Sequence, residues 1–123
     1  MIHVAKDLPY SKEYLISANK RIHWSTRHDT QGYWRGVAKL KFREAGRSLG
    51  MNKAHILVTF HYPDKRRRDV HNYVSLVVKP IVDGIVDSGL IPDDDDKHLV
   101  GPDVRAILGS SDPRITVEVT EID

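Results

Sequence analysis

The sequence predicts an α+β fold in which a small mixed β-sheet packs with two main helices in a single domain. Three observations lead to this prediction: an apolar stripe at helical spacing over residues 30–49, and alternating apolar and polar positions over residues 54–61 and 114–120. A chain of 123 residues is long enough to bury roughly two thirds of its unfolded surface in one core. No repeat or linker-like composition marks a second domain.

The composition limits the class of protein. Cysteine is absent, which excludes a disulfide framework and thiolate metal sites and fits a reducing compartment. The N-terminal residues lack the apolar core of a signal peptide, and no run approaches the ~20 apolar residues of a membrane span. We therefore expect a cytoplasmic protein with no membrane partner. Because the net charge is only +2, the distribution of charge is more informative than its sum.

The N-terminal part of the chain predicts one strand followed by a long loop. Residues 1–5 alternate in the manner of a short strand, and residues 7–28 have the mixed polarity of a loop. Within this loop lie Asn19, Lys20 and Arg21, shortly before a tryptophan. Two interpretations are open. The segment is either a capped turn anchored by the tryptophan or a loop that contacts phosphates, because amide and cationic side chains donate to phosphate oxygens.

Residues 30–49 predict the first main helix, with Asp29 or Thr30 as its N-cap and Gly50 at its end. Its apolar stripe consists of Trp34, Val37, Ala38, Phe42, Ala45 and Leu49. The opposite face carries a basic row with a cation at every fourth position, which consists of Arg35, Lys39, Arg43 and Arg47. Like charges at this spacing repel one another by ~0.2–0.5 kcal/mol per pair. The basic row is either a solvated helix face or a surface that contacts a phosphate backbone.

The remaining elements are three strands and a second helix. The alternation over residues 54–61 and 114–120 predicts two clear strands, and residues 99–108 form a weaker candidate that a Gly-Pro pair interrupts. Residues 72–88 carry enough apolar positions for a buried helix. Because Pro80 lacks the N–H that would bond the carbonyl four residues earlier, we expect a kink or a split at this position.

The most informative stretch places polar groups at both ends of the second helix. The N-terminal end has a cluster of cations and possible metal ligands, which consists of Arg66, Arg67, Arg68, Asp69, His71 and Asn72. The C-terminal end has a block of four aspartates, Asp93, Asp94, Asp95 and Asp96. Oxygen-rich groups with cations beside them suit hard divalent metals and phosphates. If the helix returns the block to Asp69, two or three oxygen ligands converge on one cation, which favours a metal-dependent nuclease site.

The aspartate block on its own admits other interpretations. As a solvated turn after Pro92 it needs no function, because isolated acidic runs are commonly exposed. An EF-hand is excluded, since the glycine required at the sixth position counted from Asp93 is His98. Carboxylates that crowd together nevertheless repel one another and gain from a shared cation.

Three motifs within residues 62–100 together resemble the RusA-type Holliday-junction resolvases, including phage and prophage variants. The family pattern is Arg-Asp-x-Asp-Asn, then a helix with Lys-x-x-x-Asp, and then a glycine followed by an Asp-Asp pair. In this sequence the motifs are Arg68-Asp69-Val70-His71-Asn72, Lys79 with Asp83, and Gly89-Leu90-Ile91-Pro92-Asp93-Asp94.

The resemblance implies a small homodimeric nuclease that binds four-way DNA junctions and, with Mg²⁺, cuts two opposed strands. The metal carboxylates correspond to Asp69 and Asp94, with Asp93 adjacent, and Lys79 matches the family's essential helix lysine. Two departures stand out. His71 replaces the second aspartate of the first motif, and the helical segment after it is longer by about four residues, roughly one turn. Because imidazole ligates Mn²⁺ more readily than Mg²⁺, His71 becomes a ligand and catalytic candidate, and Mn²⁺ an alternative cofactor.

The mechanism proposed on these residues also needs a surface that binds the DNA backbone. Its expected members are amides and cations: Asn19, Lys20, Arg21, Arg35, Lys39, Arg43, Arg66, Arg67, Arg68 and Asn72. Because contacts of this kind carry no sequence information, the shape of the junction would be read by the two-fold symmetry of a dimer.

Two other classes of protein are open. The first is a catalytically inactive, structure-specific DNA-binding protein, in which His71 marks the loss of catalysis. The second is a small metal enzyme that uses His61, His71 and His98, although their spacing matches no standard zinc pattern.

Overall fold

Four strands and two main helices make up the fold in a computed structural model, which describes residues 1–122. They are β1 (His3–Pro9), α1 (Trp24–Ser48), β2 (Ala54–His61), α2 (Lys79–Asp87), β3 (Leu99–Ile107) and β4 (Arg114–Glu121). Two short 3₁₀ turns, Lys12–Tyr14 and Val70–Tyr73, and a π-helical turn, Val74–Val78, lie between them. The predicted α+β class is confirmed.

The strands form one sheet in the order β1-β4-β2-β3. β2 pairs in parallel with β3, whereas β4 is antiparallel to both β1 and β2. The prediction of a mixed sheet is therefore confirmed. Because parallel neighbours need a crossover connection, the helical segment that contains α2 runs back from the end of β2 to the start of β3.

The buried face of the sheet is built from apolar cross-strand pairs. The pairs are Ile56 with Val119, Val58 with Val117, and Phe60 with Ile115. The core also contains Trp34, Ala38 and Phe42 from α1, and Ile81 and Ile85 from α2. Complete burial of side chains of this size contributes roughly 1.5–3 kcal/mol each. None of the helices in residues 1–122 has the length and apolar character that crossing a membrane requires.

The helices α1 and α2 approach one another closely at two glycines. A Cβ atom added at Gly84 would overlap the Arg35 carbonyl oxygen, and one added at Gly46 would overlap the Ser88 carbonyl oxygen. A residue without a side chain is needed wherever two backbones come this near. The close approach sets the relative positions of the polar side chains that the two helices carry.

Two boundaries near the N-terminus differ from the prediction. β1 extends to Pro9, and α1 begins at Trp24, so the predicted loop over residues 7–28 is wrong at both of its ends. The N-cap of α1 is His23, whose imidazole accepts from the Ser25 N–H over 3.2 Å. Histidine is not among the residues that commonly cap a helix, which is why the earlier start was not predicted.

Two further details concern single residues. Leu49, the last member of the apolar stripe, lies just after α1 and is 44% exposed, so it does not share the burial of Trp34 and Phe42. The weaker candidate over residues 99–108 is a strand, β3, and it contains the cis peptide Gly101-Pro102. β3 is an edge strand, and a proline is tolerated there because it removes no hydrogen bond that the sheet needs.

The expected effect of Pro80 is confirmed as a change of helix type. The turn Val74–Val78 is π-helical. The Lys79 N–H bonds the Val74 carbonyl, five residues earlier, rather than the Ser75 carbonyl that an α-helix would use. Pro80 then occupies the first turn of α2, a position at which proline is common. The helical segment is thus split into two types just before the proline.

Candidate functional site

The Lys79 cluster, which consists of Lys79, Asp83 and Asp94, joins α2 to the loop before β3. The Lys79 ammonium donates to Asp83 Oδ1 over 3.0 Å and also to Asp94 Oδ2. The contact between Lys79 and Asp83 is the one expected of residues that lie four positions apart on a helix. The three side chains are 50%, 31% and 32% exposed, so a ligand in solvent can reach the cluster.

Lys79 stands where the π-helical turn gives way to α2. Its neighbours Val77, Val78 and Ile81 are buried, so the segment is fixed against the core while the lysine remains exposed. π-Helical turns interrupt regular helices and are often found at functional sites. The local sequence therefore holds the Lys79 backbone rigidly and leaves its ammonium free to meet groups from another segment.

The loop that carries Asp94 is held in place by its own neighbours. Leu90 is buried in the core, and its carbonyl accepts from the Met51 N–H over 2.6 Å. The Asp94 N–H donates to Asp93 Oδ1 over 2.7 Å, so Asp93 shapes the turn. These contacts bring the Asp94 carboxylate to the Lys79 ammonium, a meeting that no local spacing in the sequence predicts.

An interhelical cleft of about 320 Å³ opens beside the cluster, between α1 and the segment that contains α2. Its polar lining includes His28, Gln31, Arg35, Ser75, Lys79 and Asp83. The Gln31 side-chain amide donates to the Ser75 carbonyl over 3.4 Å, which ties the two walls together. A cleft with cations, amides and hydroxyls in its walls suits a phosphate group better than an apolar ligand.

Arg35 makes a bidentate ion pair with Asp87, at the end of α2. Its Nε donates to Asp87 Oδ2 over 2.6 Å, and its Nη2 donates to Oδ1 over 2.9 Å. The hydrogen bonds from the Arg35 guanidinium hold the pKa of Asp87 below its usual range, and the same bonds raise the pKa of Arg35. Arg35 is therefore already engaged within the protein, although its side chain is 54% exposed.

Asp69 lies at the other end of the helical segment, where it is the N-cap of the turn Val70–Tyr73. Its Oδ1 accepts from the His71 N–H over 3.2 Å, and the His71 residue is exposed. The carbonyl of Asn72 accepts from the Ala18 N–H over 2.7 Å. This hydrogen bond places the loop of Asn19, Lys20 and Arg21, the predicted phosphate-contacting loop, beside the motif that contains Asp69 and Asn72.

The candidate metal ligands do not gather into one three-ligand centre. Within residues 1–122 no three histidine, aspartate or glutamate side chains are close enough to share one ion, so the expected convergence of three ligands on one cation is not found there. Mg²⁺ usually keeps several waters and binds through one or two carboxylates. The donor set of Asp93 and Asp94 fits such an ion, and Lys79 already contacts Asp94.

The histidines considered for a zinc site do not meet. His61 ends β2 and hydrogen-bonds Thr116 Oγ1 over 3.0 Å, whereas the His98 carbonyl accepts from the N–H of Ala54, the first residue of β2. A strand of 8 residues separates these positions by roughly 23 Å at ~3.3 Å per residue. His98 instead bonds the Asn52 carbonyl over 2.7 Å. A zinc site shared by His61 and His98 is excluded.

The three arginines after β2 differ in their surroundings. Arg68 is 17% exposed, donates to both oxygens of Asp64 over 3.0 and 2.8 Å, and lies over the Tyr62 ring at 4.6 Å. Hydrogen bonds from the Arg66 N–H and the Arg68 side chain lower the pKa of Asp64. Arg66 and Arg67 are exposed. Sequence reasoning missed Asp64; its spacing of four residues from Arg68 was the available signal.

The other cations of the predicted DNA-binding surface are exposed. Lys39, Arg43 and Arg47 of α1 are exposed, as are Lys20 and Arg21. None of these five cations forms an ion pair with a carboxylate of residues 1–122. Of the basic row, Arg35 is thus the member whose charge is neutralised, and the other three remain available to an anionic partner.

Comparison with known proteins does not assign the chain to a family. No family model matches it, and no curated protein is significantly similar to it.

Proposed function

We propose that this chain is a metal-dependent, structure-specific endonuclease that binds branched DNA, such as a four-way junction, as a homodimer. The observation that carries the proposal is the Lys79 cluster, in which an accessible ammonium meets carboxylates from two separate segments beside a polar cleft. The motifs that resemble the RusA-type resolvases contribute all three of its residues. The resemblance further favours a cytoplasmic role in DNA recombination or repair.

The proposed chemistry is hydrolysis of a phosphodiester bond. Asp94 with Asp93, and Asp69 with His71, would hold Mg²⁺ or Mn²⁺, and the bound cation would activate a water and neutralise charge on the scissile phosphate. The Lys79 ammonium stabilises the negative charge that develops on the phosphate oxygens. Asp83 keeps Lys79 oriented, because it accepts a hydrogen bond from Nζ over 3.0 Å.

The proposed DNA surface is built on cations whose side chains donate no hydrogen bond to a carboxylate of residues 1–122, rather than on all the basic residues. Lys39, Arg43 and Arg47 form a continuous exposed row on α1, and phosphates are the natural partners of such a row. The other proposed members of this surface are Asn19, Lys20 and Arg21 of the loop before α1, together with Asn72, Arg66 and Arg67. Arg35 and Arg68 are assigned mainly to positioning, because each is engaged by a carboxylate.

The proposal is tested by incubating an end-labelled four-way junction and a linear duplex with the protein and Mg²⁺ or Mn²⁺. We expect paired nicks on opposed strands of the junction and none on the duplex. Lys79→Ala and Asp94→Asn should abolish the nicks, whereas Asp96→Asn, which changes the same block, should retain them. Equal nicking of both substrates, or nicking that survives Lys79→Ala, would contradict the proposal.

A second candidate function is structure-specific DNA binding without catalysis. Two observations favour it: His71 stands where the resolvase pattern has an aspartate, and Lys79 competes with any cation for Asp94. Tight junction binding without nicks in either metal would select this function. Restoring the pattern with His71→Asp should then produce metal-dependent nicking if the site is otherwise intact.

A further inference from the structure

A second polar cavity, of about 260 Å³, lies at the end of β2, away from the Lys79 cluster. We refer to it as the tyrosine cavity, because Tyr10, Tyr62 and Tyr73 contribute to its walls. Its charged lining residues are Lys12, Asp64, Arg66 and Arg68. The three cations against one carboxylate leave the cavity with an excess of two positive charges.

The one carboxylate in the lining is largely neutralised by the protein itself. Asp64 accepts from the Arg68 guanidinium over 2.8 Å and from the Arg66 N–H over 3.0 Å. These bonds lower the pKa of Asp64, so it stays ionised and paired near neutral pH. Lys12 is exposed, and the Arg66 side chain, whose Nη2 lies 3.8 Å from Asp64 Oδ2, is 74% exposed. The excess positive charge is therefore accessible to an anion.

Two buried donors in the cavity wall have no partner. The Tyr62 hydroxyl and the Arg68 Nε–H form no hydrogen bond within residues 1–122. Tyr62 is 1% exposed, and its burial raises the pKa of the hydroxyl, which stays protonated as a donor. Buried donors without acceptors are unfavourable and are rare in native proteins. An anionic ligand with several oxygens would supply the missing acceptors.

We propose that the tyrosine cavity binds a phosphomonoester, the group at the phosphorylated end of a nucleic-acid strand. A phosphomonoester carries a charge of about −1.5 to −2 at neutral pH and three strong acceptor oxygens. It thus matches both the excess of two positive charges and the presence of unpartnered donors. A phosphodiester inside a strand carries a single charge and extends in both directions, which suits an exposed row such as that on α1 better than a cavity.

The choice of a nucleic-acid strand end rests on the proposed function, whereas the match to a phosphomonoester does not. The cavity shares no lining residue with the Lys79 cluster. Binding is therefore measured in EDTA, where nicking cannot occur. The binding site and the nuclease activity can then fail independently of one another.

The experiment compares two short single-stranded oligonucleotides of the same sequence, one with a 5′-phosphate and one with a 5′-hydroxyl. Fluorescence anisotropy with a 3′ label gives the affinity of the full chain for each. We expect the phosphorylated strand to bind about tenfold more tightly or better, the size of one charge-assisted hydrogen bond. The variants Lys12→Ala and Arg66→Ala should each reduce this preference several-fold.

Lys41→Ala and Arg105→Ala are the matched controls, because each removes an exposed cation outside the cavity. They should weaken the binding of both strands equally and leave the preference for the phosphorylated strand intact. Inorganic phosphate, added as a competitor, distinguishes the two sources of the group. If it competes as well as the phosphorylated strand, the phosphomonoester site stands and its ligand is a small free phosphate. Equal affinity for the two strands, together with no competition by phosphate, would overturn the proposal.

The unpartnered Tyr62 hydroxyl allows a second test, in which stability and binding preference are expected to change in opposite directions. Tyr62→Phe keeps the ring that stacks under Arg68 and removes only the buried donor. If the hydroxyl serves a ligand, the variant should melt at a higher temperature than the wild type and yet lose part of its preference for the phosphorylated strand. A rise in melting temperature with unchanged preference would show that the hydroxyl does not contact the phosphate.

Discussion

Lys79, the first residue of α2, contacts the carboxylate of Asp94, which lies 15 residues later in the loop before β3. The same ammonium also holds Asp83 over 3.0 Å. One cation therefore occupies a carboxylate that the proposed mechanism assigns to a metal. The competition between the ammonium and a divalent ion for Asp94 can be measured directly.

Lys79→Ala is expected to abolish junction nicking and, at the same time, to tighten binding of Mn²⁺. The loss of the ammonium frees Asp94 from an exposed ion pair, and pairs of this kind contribute up to about 1 kcal/mol, or roughly fivefold in affinity. Titration of Mn²⁺ followed by electron paramagnetic resonance measures the affinity without any need for activity. Lys79→Arg is the control, since it keeps a cation beside Asp94 and should leave metal affinity near that of the wild type. Weaker Mn²⁺ binding by Lys79→Ala would contradict a role of Asp94 as ligand.

Two aspartates of the same block are expected to behave differently. Asp94→Asn should weaken Mn²⁺ binding by about tenfold or more, because it removes a charged oxygen ligand. Asp96→Asn should change it little, since Asp96 makes no polar side-chain contact within residues 1–122 and is exposed. Isothermal titration calorimetry of both variants with Mn²⁺ under the same conditions compares the two affinities. Equal losses would indicate diffuse attraction by the whole acidic block rather than a defined ligand.

The site illustrates what local spacing in a sequence predicts and what it does not. Lys79 and Asp83 are one helical turn apart, so their contact follows from the geometry of any helix. The contacts of Lys79 with Asp94 and of Arg35 with Asp87 depend on how α1, α2 and the following loop pack. No pattern within either segment encodes them. For this reason the sequence placed Arg35 among the cations expected to bind DNA, whereas in the fold its charge is paired with Asp87.

The fold was predictable where one strong pattern dominates. The bounds of β2 agree with the alternation over residues 54–61 because one face of that strand is completely buried. β3 gave a weak signal because it is a largely exposed edge strand with a proline inside it. The start of α1 was missed because its first turns lie before the buried stripe, so neither apolar spacing nor a common capping residue marks Trp24.

The salt dependence of DNA binding should separate paired from unpaired cations of α1. Arg43→Ala is expected to reduce the slope of log K against log salt by about one, since one phosphate contact is lost. Arg35→Ala should reduce the slope less, because its charge is already paired with Asp87. Anisotropy titrations of a labelled junction at several salt concentrations measure both. Arg105→Ala, on the edge strand β3, is the control for loss of one positive charge. A slope that no variant changes would argue against α1 as the DNA surface.

The pair of Arg35 and Asp87 should contribute to stability in a pH-dependent way. Arg35 lowers the pKa of Asp87 in the folded state, so the unfolded chain binds this proton more readily than the folded one does. The stabilisation is therefore fully present above the unfolded pKa of about 3.9 and is lost as the pH falls through the lower folded pKa. Arg35→Ala should lower the free energy of unfolding at pH 7 by about 0.5–1 kcal/mol.

Urea denaturation of the wild type and of Arg35→Ala between pH 7 and pH 2.5 tests this prediction. The difference in free energy of unfolding should be constant from pH 7 to about pH 5 and should then shrink with falling pH. The double variant Arg35→Ala with Asp87→Asn should lose no more free energy of unfolding than the sum of the losses in the two single variants. The loss should be smaller than that sum if the two residues act as a pair. A difference that persists unchanged at low pH would show that Arg35 stabilises the fold by packing rather than by its charge.

Gly84 and Gly36 have different surroundings, and together they test the packing of α1 against α2 that positions the Lys79 cluster. Gly84→Ala should destabilise the protein by roughly 1–3 kcal/mol or more, because its Cβ would overlap the Arg35 carbonyl oxygen and both backbones would have to move. Gly36→Ala should instead stabilise it by up to about 1 kcal/mol, since no atom lies within 4 Å of the added Cβ and alanine is the better helix former. Chemical denaturation of both variants measures the difference.

The same pair of variants connects packing to function. Arg35, whose carbonyl faces Gly84, also lines the interhelical cleft together with Lys79. Forcing the helices apart at this point should therefore widen the cleft and reduce junction nicking even at temperatures where the variant remains folded. Gly36→Ala leaves the helix contact untouched and should nick at the wild-type rate. If Gly84→Ala were as stable and as active as the wild type, the close approach of α1 and α2 would not be what positions Lys79.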